Sequence, residues 1–393
     1  MKALFVSHFY PPEPGAASAR IASFVDALTR AGHDVTVLTN FPSFPRGRFF
    51  EVGRPPVRVE RSGTTRIVRV FSLLLPGMRG ERLIHWASAA LSASLYALLA
   101  RARYDLVIVS SPPLTTAIPA LVAAWRHGAR LIVDVRDVFP DIAIAMGAWR
   151  RESLLARAVE SFVCALYRRA DLVVAVTPTA IEQIGRRGVA RSRLFLARNA
   201  AAPTSVARSA NGRPKPFTAI YAGNLGVATD VDLLADAAAR VAGDNITIEI
   251  VGDGAQRPHL EGRVRKEKVH NLALQGSMPR DEALERIANA DVSIIPLRKG
   301  IQESVPTKLY DSFSVGCPVI VAAEGEAQRE GATLGAVCTA PADADALARA
   351  LRQLAQLDRV ALRAIGEAGK AKLAERADRA GVMDELVARI AAC

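Results

Sequence analysis

Short apolar runs alternate with helical patterns along nearly the whole chain, and the alternation stops once and then restarts. In the first half the runs fall near 3–7, 34–39, 66–70, 105–109, 130–134, 172–176 and 193–197, with helical patterns near 17–31, 85–102, 115–125, 153–169 and 178–187. Strands bounded by helices at this spacing predict βαβ units and a parallel, doubly wound sheet. Residues 203–216, PTSVARSANGRPKP, are polar, proline-bearing and without periodicity, which marks a linker. Strand runs then resume near 218–221, 247–251, 272–275, 292–296 and 318–321, with helices near 230–241, 256–266, 280–288 and 305–315. Helical patterns at 342–357, 359–374 and 376–391 close the chain. The last carries Val382, Met383, Leu386, Val387 and Ile390 on one side, which needs a surface to bury it. The expected fold class is therefore α/β, with two Rossmann-like doubly wound domains. Their expected bounds are 1–202 and 217–375, with a linker at 203–216 and a terminal helix at 376–393.

Two cores also follow from the length of 393 residues, too long for one ordinary domain. The net charge of +12 is uneven, because residues 1–203 hold 27 Lys+Arg against 14 Asp+Glu while the remainder holds 24 against 25. A basic first half implies an anionic partner: acidic lipid, nucleic acid or a phosphorylated substrate. Cys164, Cys317, Cys338 and Cys393 are scattered, which argues for a reducing compartment with neither disulfides nor structural zinc. The opening apolar run is too short for a signal peptide and reads as a first strand. Residues 86–100 are too short to span a bilayer but carry Arg82, Arg101 and Arg103 on their flanks, so a membrane-surface helix and an ordinary buried helix are both open.

Five loops stand out. PPEPGAASAR, around Gly15, joins the first strand to the first helix with small residues that admit an anion at a helix start, although it lacks the GxGxxG fingerprint. YAGNLG (Gly223, Asn224, Gly226), VGDG (Gly254) and QGSMPR (Met278) each follow a strand of the second half, where ligands bind in open α/β folds. DVRDVFPD at Asp134–Asp141 ends a first-half strand with three carboxylates and an arginine; Arg136 and Asp137 are its functional candidates. The DxD pairs at Asp230 and Asp343 sit where helices begin and read as caps, and no histidine spacing suggests a metal site.

ESVPTKLYD at Glu303–Asp311 reads as a loop entering a helix, with Ser304 as N-cap and Pro306 in the first turn. Two carboxylates about 12 Å apart along the axis flank Lys308 and a helix start that favours anions. Alone this is a capped amphipathic helix. That separation roughly matches the reach from a sugar ring across a pyrophosphate to a ribose, and beside three glycine-bearing strand ends the segment reads as part of a ligand site.

Together these motifs resemble family 4 retaining glycosyltransferases of the GT-B fold, over nearly the whole chain. The resemblance rests on FYPPEPGAASARI, GHDVTVLTNFPSFPRG, SSPPL, DVRDVFPD, YAGNLG, IVGDG and ESVPTKLYD. The opening motif is most similar to the branch transferring N-acetylated deoxyhexosamines such as L-fucosamine in lipopolysaccharide or capsule assembly. The family's E-x7-E carboxylates correspond to Glu303, implied to meet the donor sugar, and Asp311, implied to bind ribose with a shorter arm. The family's pyrophosphate-gripping Arg and Lys correspond to Asn224 and Thr229, so that load is implied to shift to Lys308, to Arg298 or Lys299, and to backbone amides near Gly15 and Gly226. Asp137 is the nearest stand-in for the family's first-domain histidine.

The resemblance implies a metal-independent enzyme without cofactor, taking a nucleotide-diphosphate sugar, UDP-linked by expectation, and a polyprenyl-diphosphate-linked or glycan acceptor. It further implies a cytoplasmic protein peripheral at the inner face of the plasma membrane, with its last helix packed on the first domain. A nucleotide-sugar 2-epimerase of related fold is the alternative. A nucleic-acid-binding role is disfavoured, since no recognised module accompanies the charge.

Overall fold

The computed structural model describes residues 1–44, 47–51, 54–78, 80–201, 204–206, 216–376 and 379–392, so most of the expected linker lies outside the described residues. The chain divides into two compact units. One comprises Met1–Asp141, Arg150–Arg198 and Arg379–Cys393; the other comprises Ile142–Trp149 and Asn199–Asp378.

The elements of the first half are β1 (Lys2–Val6), α1 (Ala16–Arg30), β2 (Asp34–Asn40), β3 (Val57–Ser62), β4 (Thr65–Val70), α2 (Glu81–Leu99) and β5 (Leu106–Ser111). They continue with α3 (Ala117–His127), β6 (Arg130–Val135), α4 (Asp141–Ala145), α5 (Leu154–Arg169), β7 (Leu172–Ala175), α6 (Pro178–Arg186) and β8 (Leu194–Leu196). The eight strands form one sheet in the order β3-β4-β2-β1-β5-β6-β7-β8, parallel except for the β3–β4 pair. Strands such as LVIVSS (β5) and LVVA (β7) are buried along their whole length, as expected where helices cover both faces. β3, VRVERS, is largely exposed and polar, and its antiparallel edge position went unpredicted because its pattern resembles a loop.

The second half runs β9 (Phe217–Ala222), α7 (Val231–Arg240), β10 (Ile246–Val251), α8 (Arg257–Glu267), β11 (Leu272–Gln275), α9 (Arg280–Asn289) and β12 (Val292–Pro296). It ends with α10 (Thr307–Ser314), β13 (Val319–Ala322), α11 (Gly325–Leu334), β14 (Val337–Thr339), α12 (Ala344–Ala355), α13 (Arg359–Arg376) and α14 (Arg379–Ala391). Its sheet has the order β11-β10-β9-β12-β13-β14 and is parallel throughout. β14 and α11 were not expected: the first is only three residues long, and the second holds Gly325 and Gly331. Helix α10 begins at Thr307, two residues later than its pattern suggested, and Pro306 rather than Ser304 occupies the N-cap position. The proline explains the delay, because its ring disfavours helical backbone at the preceding Val305.

Helix α14 returns to the first unit. Met383, Leu386, Val387 and Ile390 are buried in the same core as Phe5, Phe24 and Leu28. Arg130 secures it by donating to the Ile390 carbonyl at 3.2 Å. The opposite face of that sheet holds the other core, formed by Val6, Val107 and Val133 with residues of α2, α3, α5 and α6.

Candidate donor and acceptor sites

In the second unit the strand ends touch because they are glycine. Gly223, Gly252 and Gly254 have φ of 147°, 144° and 156°. A Cβ at Gly252 would lie 2.0 Å from the Gly223 carbonyl oxygen, and one at Gly254 would lie 2.6 Å from Asn224 Oδ1. The loop after β9 and the loop after β10 therefore meet at two points that a side chain would break. Gln256 fastens them, its amide donating to the carbonyls of Gly226 at 2.6 Å and Thr229 at 2.8 Å. The Gln256 oxygen accepts from Arg298 at 2.7 Å, which brings the exposed arginine to the same loop. Sequence reasoning missed Gln256, whose only signal is its position just after the VGDG turn.

Lys308, in the first turn of α10, reaches this loop. Its ammonium lies 4.2 Å from the centroid of the Tyr221 ring and donates to the Tyr221 hydroxyl. The side chain passes over Gly223, with Cε 2.8 Å from where a Cβ there would be. Tyr221 is fully buried, and its hydroxyl donates to the Asn224 carbonyl at 2.7 Å and meets Thr229 Oγ1 at 3.0 Å. Among the described residues no carboxylate pairs with Lys308. Its positive charge is thus located by a phenol, a ring face and a glycine, none of which cancels it. The α10 amino end adds its own preference for anions. Helix α13 backs α10, its Gly366 and Gly369 lying so close that Cβ atoms would come within 1.9 Å of the Gly316 carbonyl and 2.3 Å of the Phe313 ring.

Glu303 is buried in the loop between β12 and α10. That loop is held from below: the Gln302 carbonyl accepts from the Glu326 amide at 2.8 Å, and a Cβ at Gly325 would lie 2.2 Å from it. Asp311 pairs with Arg280 at 2.7 Å, a partner missed because it stands 31 residues away at the start of α9. Met278 packs on the core beside Ile220 and Val251. Thr229 is buried, so it serves the loop through Tyr221 and Asn224.

Both DxD segments act as caps. Asp230 accepts from the Leu233 amide at 3.1 Å and Asp343 from the Ala346 amide at 2.8 Å. Asp232 and Asp345 pair with Arg263 and Arg240. Among the described residues no group of three or more His, Cys, Asp or Glu side chains is arranged to hold a metal.

In the first unit Gly15 stands at the N-cap of α1 with φ of 118°. Buried Glu13 ties the preceding loop to the one after β2, accepting from the amides of Ser43 at 2.8 Å and Phe44 at 3.0 Å. Burial pushes its carboxyl up, and these hydrogen bonds and Arg69 pull it partly back. The DVRDVFPD carboxylates, grouped by sequence, separate in space. Asp134 is wholly buried, paired with Arg20 at 2.8 Å and with the Ser110 hydroxyl at 2.9 Å. Burial works against its charge, but Arg20 outweighs this and holds it below the ordinary carboxylate range. Asp141 pairs with Arg187 and Arg151.

Arg136 and Asp137 remain as candidates at the end of β6. Arg136 donates to the Pro112 carbonyl at 2.6 Å, while its buried Nε has no partner among the described residues. Burial raises the Asp137 carboxyl, and the Arg136 charge opposes it. The first unit also holds a pair the sequence did not announce: His8, just after β1, meets His85 of α2 edge-on with ring centroids 4.9 Å apart. Burial pushes His8 down to about 3, with His85 adding to the effect. His8 also lines a cavity of about 20 Å³, room for one water, with Trp86 and Ala89 of α2 on another wall.

Residues 15–200 match the family described as Glycosyl transferase 4-like domain, and residues 216–357 match Glycosyl transferases group 1. The chain is a glycosyltransferase. WcaI of Escherichia coli K12, named for a glycosyl transferase of colanic acid biosynthesis, is 24% identical to it over 382 residues, covering 90% of this chain and 92% of WcaI. Among solved structures, sucrose-phosphate synthase of Thermosynechococcus elongatus superposes with a TM-score of 0.77 at 17% identity, covering 98% of this chain and 97% of that one. Anabaena HepE, in complex with UDP and glucose, superposes with a TM-score of 0.71 at 14% identity and full coverage of both chains. The glycosyltransferase has the GT-B fold, as the motifs implied.

Proposed function

We propose that this glycosyltransferase moves an N-acetylated hexosamine or deoxyhexosamine from a UDP-linked donor to a polyprenyl-diphosphate-linked or glycan acceptor in cell-surface polysaccharide synthesis. The observation that carries the donor reading is Lys308, an ammonium fixed at the β9 strand end with no carboxylate among the described residues to neutralise it. A UDP-bound solved relative and a relative named for colanic acid biosynthesis support the same reading.

In this proposal the diphosphate lies against Lys308, the α10 amino end and the backbone of the Gly223–Gly226 loop, with Arg298 at its rim. Negative charge grows on the leaving diphosphate as the glycosidic bond breaks, and preorganised cations stabilise that charge more than the ground state. Glu303 orients the sugar ring and Asp311 the ribose. The acceptor lies on the first unit, with Arg136 and the Gly15 loop meeting its anionic group and Asp137 close to its hydroxyl. Retention of configuration follows from front-face attack, the leaving phosphate oxygen taking the acceptor's proton. No metal is needed, so chelation should leave the rate unchanged. The enzyme works at the cytoplasmic face of the plasma membrane.

A melting-temperature panel of UDP-, GDP- and dTDP-sugars tests the donor, since only a ligand of the folded state raises it. UDP-sugars should raise it and the others should not; a response confined to GDP- or dTDP-sugars overturns the UDP assignment. Glu303→Gln should keep that shift and lower transfer by about two orders of magnitude or more. Near-normal turnover removes Glu303 from the site.

A further inference from the structure

The first unit carries a long apolar surface that none of its described residues covers. Helix α2 has one buried side, His85, Ala89, Ala90, Ala93 and Ala97, facing the sheet. Its outward ridge is Leu83, Ala87, Leu91, Leu95 and Leu99, at steps of four, and Leu98 lies beside it. Leu83, Leu91 and Leu99 are 67%, 73% and 71% exposed, values of a side chain standing in solvent. At 1.5 Å per residue the ridge is about 24 Å long. No charged residue interrupts the chain between Arg82 and Arg101.

Two neighbours extend the surface. α3 packs beside α2 and exposes Ile118 and Trp125, the latter 75% accessible. The segment before α2 is laid along it, the Leu73 amide donating to Ser88 Oγ at 2.9 Å and the Leu73 carbonyl meeting His85 Nδ1 at 3.0 Å. Phe71, Leu73, Leu75 and Met78 are exposed there. Contiguous apolar surface on this scale marks a contact face.

Charge selects the occupant. Arg82, Arg101, Arg103 and Arg126 are exposed at the ends of α2 and α3, and among the described residues none is paired with a carboxylate. The half of the chain holding the face has 13 more basic than acidic residues. A second copy would set like charge against like charge. No described helix is long and apolar enough to cross a membrane. We propose that the α2–α3 face, with the 71–78 segment, docks the enzyme on an anionic lipid bilayer. Leucines and Trp125 enter the acyl boundary while the four arginines meet lipid phosphates. The proposal locates the membrane contact put forward above and is independent of the donor assignment.

Flotation of the full chain with vesicles tests it. The wild type should rise with phosphatidylglycerol–phosphatidylcholine vesicles and not with phosphatidylcholine alone. Leu91→Ser, Leu95→Ser and Leu99→Ser together should lower the bound fraction roughly tenfold or more. Arg82→Ser, Arg101→Ser and Arg103→Ser should weaken binding and flatten its salt dependence. Both triple variants should keep the wild-type melting shift with UDP, showing an intact fold and donor site. Flotation unchanged by the leucine variant overturns the proposal. So does a concentration-dependent dimer that the leucine variant abolishes, which would give the face to a second copy. A wild type that floats but shows no UDP shift overturns the donor reading alone.

Discussion

Each unit places a cation at the carboxyl ends of its central strands, and the two are treated differently. In the first, Arg20 reaches from α1 to Asp134 on β6 and is neutralised there, in a site with 5% and 0% of the two side chains exposed. In the second, Lys308 reaches from α10 to Tyr221 on β9 and, among the described residues, meets a phenol, a ring face and the edge of a glycine but no carboxylate. Both arrangements fix a charged group to within a hydrogen bond. Only the second leaves the charge uncompensated and so able to act on an anion. On the proposed function Arg20 is therefore scaffold and Lys308 the cation that meets the diphosphate, although either would look like a conspicuous cation in a motif loop.

Four measurements could break or sharpen that contrast, and the largest effect belongs to the scaffold. Asp134→Ala should cost about 3–5 kcal/mol by leaving Arg20 buried and unpaired, read by denaturant unfolding, with the UDP-dependent melting shift still present. A loss below about 1 kcal/mol would mean that the buried pair barely matters. Lys308→Met should reduce transfer about 10²–10³-fold, roughly 2.7–4 kcal/mol of transition-state stabilisation, without changing stability in the absence of ligand. Equal unfolding and activity losses in both variants would erase the distinction.

The third concerns pH. His8 is held neutral, its pKa pushed down to about 3 by burial and by His85. An unfolded chain binds that proton near pH 6.5, so folding excludes it and stability falls as pH falls below that value. Between pH 7 and pH 5 the loss from His8 is about 2 kcal/mol, and His8→Phe should flatten the melting profile over that window. The smallest effect is Tyr221→Phe, which keeps the ring and removes the hydroxyl, and should weaken UDP binding by about 1 kcal/mol. In a Lys308→Met background it should add nothing if Tyr221 acts through the lysine. An equal loss in both backgrounds would assign Tyr221 to the Asn224–Thr229 loop instead.

The fold was readable from local pattern because parallel strands buried on both faces are continuous apolar runs, and glycine or proline punctuates their ends. β3 escaped because an exposed edge strand has no such run, and α11 because glycines dilute its helical signal. Motif loops located the candidate site, but pairings across the chain did not show. Arg20 and Asp134 lie 114 residues apart and Lys308 and Tyr221 lie 87 apart. Asp134, Asp137 and Asp141 share one loop in which the sequence favours Asp137, but the partners that occupy Asp134 and Asp141 show only in the structure. The leucine ridge of α2 had a legible sequence and an illegible direction, since periodicity alone cannot say which side of an all-apolar helix faces the sheet.

Helix α14 carries a consequence for how the protein is made. Its Leu386 and Ile390 sit in the core beside Phe5 and Phe24, on strands and helices synthesised more than 350 residues earlier. During translation the first unit must wait, with that apolar seat open, while the whole second unit emerges. Cutting the chain between the units would therefore isolate a first unit lacking part of its own core. The order of synthesis and the order of completion are opposite: the unit begun first is finished last.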